Sequence, residues 1–326
     1  MGKNQRIYVL MGTYNGARFV RDQLRSIQEQ TLSGWTLLVR DDGSQDGTLK
    51  ILLDCAKTDK RIRCIHDSYG RLGAVGNFGE LMRIACLEAA DYVFFSDQDD
   101  IWMSNKIADQ VVYLKDMEIR YGEDTPILVY SDLEVVDETL QRVHPSFMNY
   151  QGLVHEAQDP LRVLLTQNFV TGCATVVNRP LLDLAVPMPD EVVMHDWWLA
   201  LCAAACGQIG YSPIPTLQYR QHTTNLIGAQ RFWAMMNPLS LRTRRRWRES
   251  KHQLFKSIRM AALLSERIKL RGIPCSAETT LLLDRFVGCA MKSPLDRVWT
   301  ASRVGLRRQG LTRYLLLYWR LLVLRN

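Results

Sequence analysis

The sequence predicts an α/β protein built on a mostly parallel central sheet, followed by a basic helical C-terminal extension. Three observations predict it. From residue 7 to about residue 120, short apolar runs alternate with segments whose apolar residues recur every three or four positions, the pattern of successive strand–helix units. Several of these runs end in clusters of Gly, Asn or Asp, at the strand ends where open α/β sheets place their ligands. Charge is divided along the chain. Residues 231–326 hold 21 Lys and Arg against 5 Asp and Glu, a balance of +16, and the remainder comes to −9 within a net charge of +7.

Residues 7–11 read as the first strand, stopped by Gly12-Thr13-Tyr14-Asn15-Gly16. Phe19, Val20, Leu24 and Ile27 then share one helical face. A second strand covers 35–40 and ends in Asp41-Asp42-Gly43-Ser44; Asp46 or Thr48 opens the helix that carries Leu49, Leu52 and Leu53. Residues 62–66 make a third strand, 75–89 a helix and 91–96 a fourth strand. A helix over 104–120 and a strand at 127–131 follow. The later order is less regular: a helix at 160–167, a strand at 173–178, a helix from Asp196 to Cys206, and extended pieces at 208–211 and 215–220. Around Ala229–Pro238 the composition turns helical and arginine-rich.

The stretch Tyr92 to Trp102 carries the clearest chemistry. Four apolar or aromatic residues form a strand buried on both faces, and Asp97, Asp99 and Asp100 follow within four positions. Such a cluster repels itself unless a positive charge sits among it. A divalent cation, Mg²⁺ or Mn²⁺, with oxygen ligands and a substrate phosphate answers that need. A solvated acidic loop shows the same D-x-D pattern; the buried strand immediately before it favours the metal. Asp100 reads equally as a site residue or as a helix cap before Met103-Ser104. Tyr14 at the mouth of strand one offers a stacking face. Asp42 at the mouth of strand two offers an acceptor for a ring N–H, which uracil and thymine both present.

Other classes are excluded. No G-x-G-x-x-G follows strand one and no P-loop pattern occurs, which removes nicotinamide and P-loop chemistry. A nucleotidyltransferase would carry a Gly-rich, Arg-containing loop where Gly12-Thr13-Tyr14-Asn15 stands. A nucleic-acid-binding role for the basic tail leaves the acidic motifs unexplained, so no nucleic-acid partner is expected. The eight cysteines contain no C-x-x-C pair and read as reduced thiols. The N-terminus runs straight into a strand with no secretory signal, and no apolar run reaches the roughly 20 residues that span a bilayer.

Thr13-Tyr14-Asn15, Asp41-Asp42-Gly43-Ser44-x-Asp46-Gly47-Thr48, Gly73-x-x-x-Asn77-Phe78 and Ser96-Asp97-Gln98-Asp99-Asp100-Ile101-Trp102, with Lys106 shortly after, occur in order. This set resembles glycosyltransferase family 2, of GT-A fold, and within it the bacterial rhamnosyltransferase-like group, over about residues 5–228. The resemblance implies a catalytic domain at 1–228, with a nucleotide-binding half at 1–102 and an acceptor half at 103–228. It implies nucleotide contacts from Thr13, Tyr14, Asn15, Asp42, Asn77, Asp97 and Arg220, and metal ligation by Asp99, His222 and Asp97. His195-Asp196-Trp197-Trp198 falls where the family has its catalytic base, which makes Asp196 the base; a plain helix cap is the alternative for that residue. Arg220 would meet the leaving diphosphate. Trp102, Gly172, Cys173, His195 and Trp197 fall on the acceptor side. The implied activity is inverting, metal-dependent transfer of a sugar from a dTDP or UDP donor, L-rhamnose ahead of a hexose, to a lipid-linked glycan in bacterial surface polysaccharide synthesis.

The tail, 229–326, is the remaining region. Leu311 to Leu324 is apolar except for Thr312, Arg313 and Arg320, and the two arginines share one helical stripe. Too short to span, it reads as an interfacial helix drawn to anionic lipid with help from Arg307, Arg308 and the arginines of 242–248. A helix docked on the catalytic domain fits the same pattern. Peripheral attachment at the cytoplasmic face of the membrane is the expectation.

Overall fold

The computed structural model describes residues 5–222 and 241–323, without the side chains of 241–252. The expected boundary near 228–229, the composition change at 229–238 and Leu324 lie outside the described residues, as do the side chains of the 242–248 arginine cluster.

β1 (Ile7–Thr13), α1 (Val20–Gln28), β2 (Trp35–Asp41), α2 (Thr48–Thr58), β3 (Ile62–Cys64), α3 (Gly73–Leu87) and β4 (Tyr92–Ser96) follow one another as the sequence pattern predicts. β1 pairs in parallel with both β2 and β4, and β2 with β3. The register sets Thr13 beside Asp41 and Met11 beside Ser96, so three carboxyl ends open on one edge.

Further on, α4 (Lys106–Tyr121), β6 (Ile127–Ser131), β9 (Thr175–Asn178), α8 (His195–Cys206) and β10 (Gln208–Ser212) complete the main sheet, in the order β10-β6-β9-β4-β1-β2-β3. β9 runs antiparallel between β4 and β6. Gly207, before β10, has no room for a side chain: a Cβ there would collide with the Pro126 carbonyl. Successive strand residues point to opposite faces. Leu10, Leu38 and Phe95 lie in one core with α3 and α8, while Val9, Leu37 and Phe94 lie in the other with α1 and α4.

A second sheet joins β5 (Ile101–Trp102), β11 (Leu217–Gln221), β7 (Glu134–Asp137) and β8 (Arg142–His144). The sequence pattern marks neither β7 nor β8, nor the short helices α5 (Phe147–Gln151) and α7 (Arg179–Ala185); α6 (Pro160–Leu164) is shorter than expected. β7 is four residues long and opens with the buried Glu134, which hides its apolar character. α7 did leave a signal: Asn178 accepts from Leu181 N at 3.2 Å ahead of Pro180, a capped start with proline in the first turn.

The C-terminal helices α9 (Leu241–Arg271), α10 (Ala277–Gly288), α11 (Pro294–Arg303) and α12 (Leu311–Val323) pack on this body. Leu254, Ile258, Leu264, Phe286, Leu317 and Leu321 share one hydrophobic core with Phe95, Trp198 and Leu201. Arginines tie them down. Arg267 donates to the carbonyls of Leu184 (2.9 Å) and Ala185 (2.6 Å) and lies over the Trp198 ring. Arg313 donates to Gly152 O at 2.8 Å and Gln151 O at 2.6 Å. The described helices of this region complete the core beneath α8. Part of the tail's positive charge meets backbone carbonyls that would otherwise face an apolar surface unpaired.

Candidate active site

Two motif loops lock each other at the open edge. Asn15 takes a positive φ of 48°, which asparagine tolerates better than most residues. Its N–H donates to Ser44 Oγ at 2.8 Å, its Oδ1 accepts from Gln45 N at 2.8 Å, and Gly16 N donates to Thr48 Oγ1 at 2.8 Å. Thr13 Oγ1 donates to Asp41 Oδ1 at 2.9 Å. Gln98 brackets Tyr14: Oε1 accepts from its N–H at 2.9 Å and Nε2 donates to its carbonyl at 3.1 Å. A Cβ on Gly16 would collide with that Gln98 amide. Thr13 and Asn15 therefore hold the loop with their side chains, and Tyr14 is the member left half open, with the Arg71 guanidinium 3.9 Å over its ring. Sequence reading passed over both Gln98 and Arg71.

Asp42 and Asn77, read as nucleotide-facing, are buried instead. The Asp42 carboxylate accepts from Leu72 N at 2.7 Å and Gly73 N at 2.9 Å, and from Arg40 Nη1 at 3.2 Å. Arg40 also donates to Asn77 Oδ1, Asp67 and the Gly70 carbonyl. The free N–H groups at the start of α3 and a buried guanidinium are stronger calls on a carboxylate than an open pocket. Only the pattern Arg40-x-Asp42 hinted at this network.

The acidic turn after β4 divides into two. Asp99 Oδ2 lies 2.8 Å from His222 Nε2, whose ring rests on Phe19. Asp97, Asp100 and Cys173 bring ligand atoms within 4.8 Å of one another. Burial, then the neighbouring charges of Asp99 and Asp196, raise the Asp97 carboxyl. Asp100 is raised further by burial, Asp99 and Asp97. Its Oδ1 accepts from Arg220 N at 3.2 Å, and its buried Oδ2 meets no nitrogen or oxygen donor among the described residues. The capping alternative for Asp100 fails, because β5 intervenes and α4 starts at Lys106. Uncompensated acid with oxygen and imidazole donors suits Mn²⁺ or Mg²⁺.

Arg220, expected to face a diphosphate, points inward. It donates to Asp99 O at 2.9 Å, Glu138 O at 3.1 Å and Asp22 Oδ2 at 3.2 Å, and it lies over Phe19. It holds the acidic turn against β11 and α1.

Asp196 sits in the first turn of α8, two residues past the extended Met194. Oδ2 accepts from Gly172 N at 3.2 Å and Oδ1 from Trp197 N at 2.5 Å. Burial pushes its carboxyl up to about 6, a value suited to a base near neutral pH. Its charge reaches Asp97, so base candidate and acidic turn share one site. The remaining acceptor-side candidates are corrected. Trp102 is buried against Phe94, and Trp197 donates from Nε1 to Leu164 O at 2.6 Å inside the core. His195 is buried on the Phe78 ring at 3.8 Å, with burial holding it down to about 3 and therefore neutral. Cys173 backs the acidic turn. Of that group, Gly172 and Trp197 meet the Asp196 carboxylate, each through its backbone N–H.

A Rossmann-like half with acidic turn, a mixed extension of the sheet and a buried carboxylate at a helix start define a nucleotide-sugar transferase of GT-A fold. The comparisons agree. The family model "Glycosyl transferase family 2" matches residues 8–121. A dTDP-rhamnosyl transferase, RfbG of Shigella flexneri, is 29% identical over 67% of this chain and 74% of its own. The S. aureus TarS structure with UDP-GlcNAc superposes with a TM-score of 0.56 at 15% identity, over 91% of this chain and 79% of that one. A Pyrobaculum calidifontis mannosyltransferase bound to GDP-Man and Mn²⁺ gives 0.51 at 18% identity, over 98% and 81%. The glycosyltransferase family 2 match thus covers residues 8–121, within a fold shared with GT-A enzymes.

Proposed function

We propose that this enzyme moves L-rhamnose from dTDP-rhamnose, with inversion, onto a lipid-linked glycan during bacterial surface polysaccharide synthesis, working peripherally at the cytoplasmic membrane face. The RfbG relative supports the donor; the UDP-sugar complex of TarS, related only by fold, keeps a UDP-hexose as the second reading. The observation that carries the chemistry is the convergence of Asp196, Asp97 and Asp99 at the open sheet edge.

Tyr14 stacks on the base once Arg71 yields its face. Asp196 takes the proton of the acceptor hydroxyl as that oxygen bonds to the anomeric carbon; the bond from that carbon to the diphosphate breaks, and the nucleoside diphosphate departs. Gly172 N–H and Trp197 N–H orient the Asp196 carboxylate. Asp99, His222 and Asp97 are the residues that would hold Mn²⁺ or Mg²⁺. When bound, the ion supplies positive charge for the diphosphate. Arg220 keeps the acidic turn in register from behind.

A thermal-shift panel of nucleotide sugars with and without Mn²⁺ tests the reading. dTDP-rhamnose should stabilise the chain more than UDP-glucose or GDP-mannose, and Mn²⁺ should enlarge the shift. A larger shift with UDP-sugars transfers the assignment to the second reading; no shift with any of them removes both.

A further inference from the structure

We infer that the face formed by α10, α11 and α12 is the surface this protein lays on an anionic bilayer, with a lipid phosphate seated among Arg285, Lys292 and Arg303. The inference rests on the membrane attachment proposed above and adds which face makes it and what it recognises.

The exposed side of α12 is inverted relative to a helix made for water. Every one of its exposed residues is apolar: Leu311, Tyr314, Leu315, Leu316, Trp319 and Val323. Its two arginines turn inward and stand half-buried, Arg313 reaching the carbonyls of Gln151 and Gly152. Leu317 and Leu321 fill the core from the remaining face. Leu311, Leu315, Trp319 and Val323 recur every four residues, so the apolar exposure forms a stripe along the helix. Among the described residues no helix is long and apolar enough to cross a membrane. A helix of this pattern lies in the interface rather than across it.

α11 packs against α12, and between α10 and α11 a cavity of about 220 Å³ is lined by Arg285, Lys292, Trp299, Thr300, Arg303 and Val304. Among the described residues three cations line it and no carboxylate does. Lys292 Nζ is held by Thr300 Oγ1 at 2.8 Å and the Arg303 guanidinium lies 4.9 Å from the Trp299 ring centroid, which fixes both heads at the wall. Apolar residues flank this basic hollow: Leu295 is 76% exposed and Trp299 58%. Phosphate over acyl chain is the order in which an anionic lipid presents its chemistry, and Trp is at home at that boundary. Charge complementarity thus favours a lipid surface over a protein partner.

The test is flotation of the full chain on neutral vesicles and on vesicles containing phosphatidylglycerol, with thermal unfolding as the check of folding. The unmodified chain should float on the anionic vesicles and far less on the neutral ones. Each basic residue near an anionic surface is worth about a fivefold factor in partitioning. Arg285→Glu with Arg303→Glu should therefore lower it on the order of 25-fold or more. Leu315→Gln, a neutral change on the exposed stripe, should weaken it independently of salt. Lys115→Glu with Arg120→Glu on α4 changes net charge equally and should leave partitioning within about twofold, because α4 packs in the opposite core from the C-terminal helices. Equal loss in both charge-reversed pairs, or none in the first pair, overturns the assignment of this face while membrane attachment stands. Equal flotation on neutral vesicles overturns the phosphate site. No flotation of the unmodified chain removes the attachment itself and this inference with it.

Discussion

Asp99 and His222 stand 123 positions apart in the chain and meet through a 2.8 Å contact between Oδ2 and Nε2. The meeting is arranged by Arg220, whose backbone N–H reaches Asp100 and whose side chain binds the Asp99 carbonyl and Asp22. β11 therefore delivers its last residues onto the turn after β4. A carboxylate and an imidazole held together at the edge of a sheet make a donor pair for a borderline cation.

Asp99→Ala and His222→Ala should each remove Mn²⁺-assisted nucleotide binding. The loss should be at least the roughly 10–100-fold that even an outer partner of a metal ligand is worth. Because the two act as one unit, the double variant should be little worse than either single one. Calorimetric titration of dTDP or UDP with and without Mn²⁺ decides; full metal dependence in either single variant would place the ligands elsewhere.

Asp196→Asn should lower kcat by about 10²–10⁴-fold, the usual worth of a general base, with donor affinity unchanged. In the unmodified enzyme kcat should fall as pH drops through about 6, since burial raises the Asp196 carboxyl to that value and its protonated form accepts no proton. The same shift makes a contribution to stability that is complete below the ordinary carboxylate range and is lost as pH rises through about 6. At pH 7 the Asn variant should therefore unfold at a higher temperature than the parent while being nearly inactive. Normal turnover would leave Asp196 a structural residue.

The strand–helix alternation to residue 121 was legible because each apolar run is long enough to show its period, and the four carboxyl ends carry their own punctuation. β7 and β8 were not: three or four residues cannot show a period, and Glu134 interrupts the apolar signal of β7. At the site, acidic and aromatic residues were visible as types, but their direction was not. Asp42 and Asp41 look alike in sequence, yet the start of α3 and Arg40 draw Asp42 inward. Trp102 and Trp197 stand beside motif residues and point into the core, because a buried strand and a buried helix alternate their faces irrespective of which neighbour does chemistry. Gln98 and Arg71 act on Tyr14 from 84 and 57 positions away in the chain, a relation no local pattern carries.

Gly172→Ala should reduce turnover while leaving nucleotide binding intact. A Cβ there would stand 2.7 Å from His195 Nε2 and 3.4 Å from Asp196 Cβ. His195 is packed on Phe78 and has nowhere to retreat, so the strain passes to the carboxylate that Gly172 N–H orients. A misplacement of about 1 Å costs on the order of 10²-fold in rate. Steady-state kinetics with a donor-affinity measurement checks it; a change in donor affinity alone would detach Gly172 from Asp196.

Asp42→Ala should act on stability first. Both members of the Arg40–Asp42 pair are 3% exposed at the side chain, and removing one partner of a buried pair costs about 3–5 kcal/mol when nothing else compensates. Here Asp67 still meets Arg40 through two bonds, of 2.7 and 2.9 Å, which spares part of that cost. The deletion also strips the acceptors from Leu72 N and Gly73 N at the start of α3, and a lost cap is worth about 1 kcal/mol. A total of about 2–4 kcal/mol follows. Chemical denaturation should show that loss, and at temperatures where the variant is folded its nucleotide affinity should fall only as far as the Tyr14–Arg71 side of the pocket loosens. A variant that unfolds like the parent but binds dTDP and UDP far more weakly would return Asp42 to the base-contacting role that the sequence suggested.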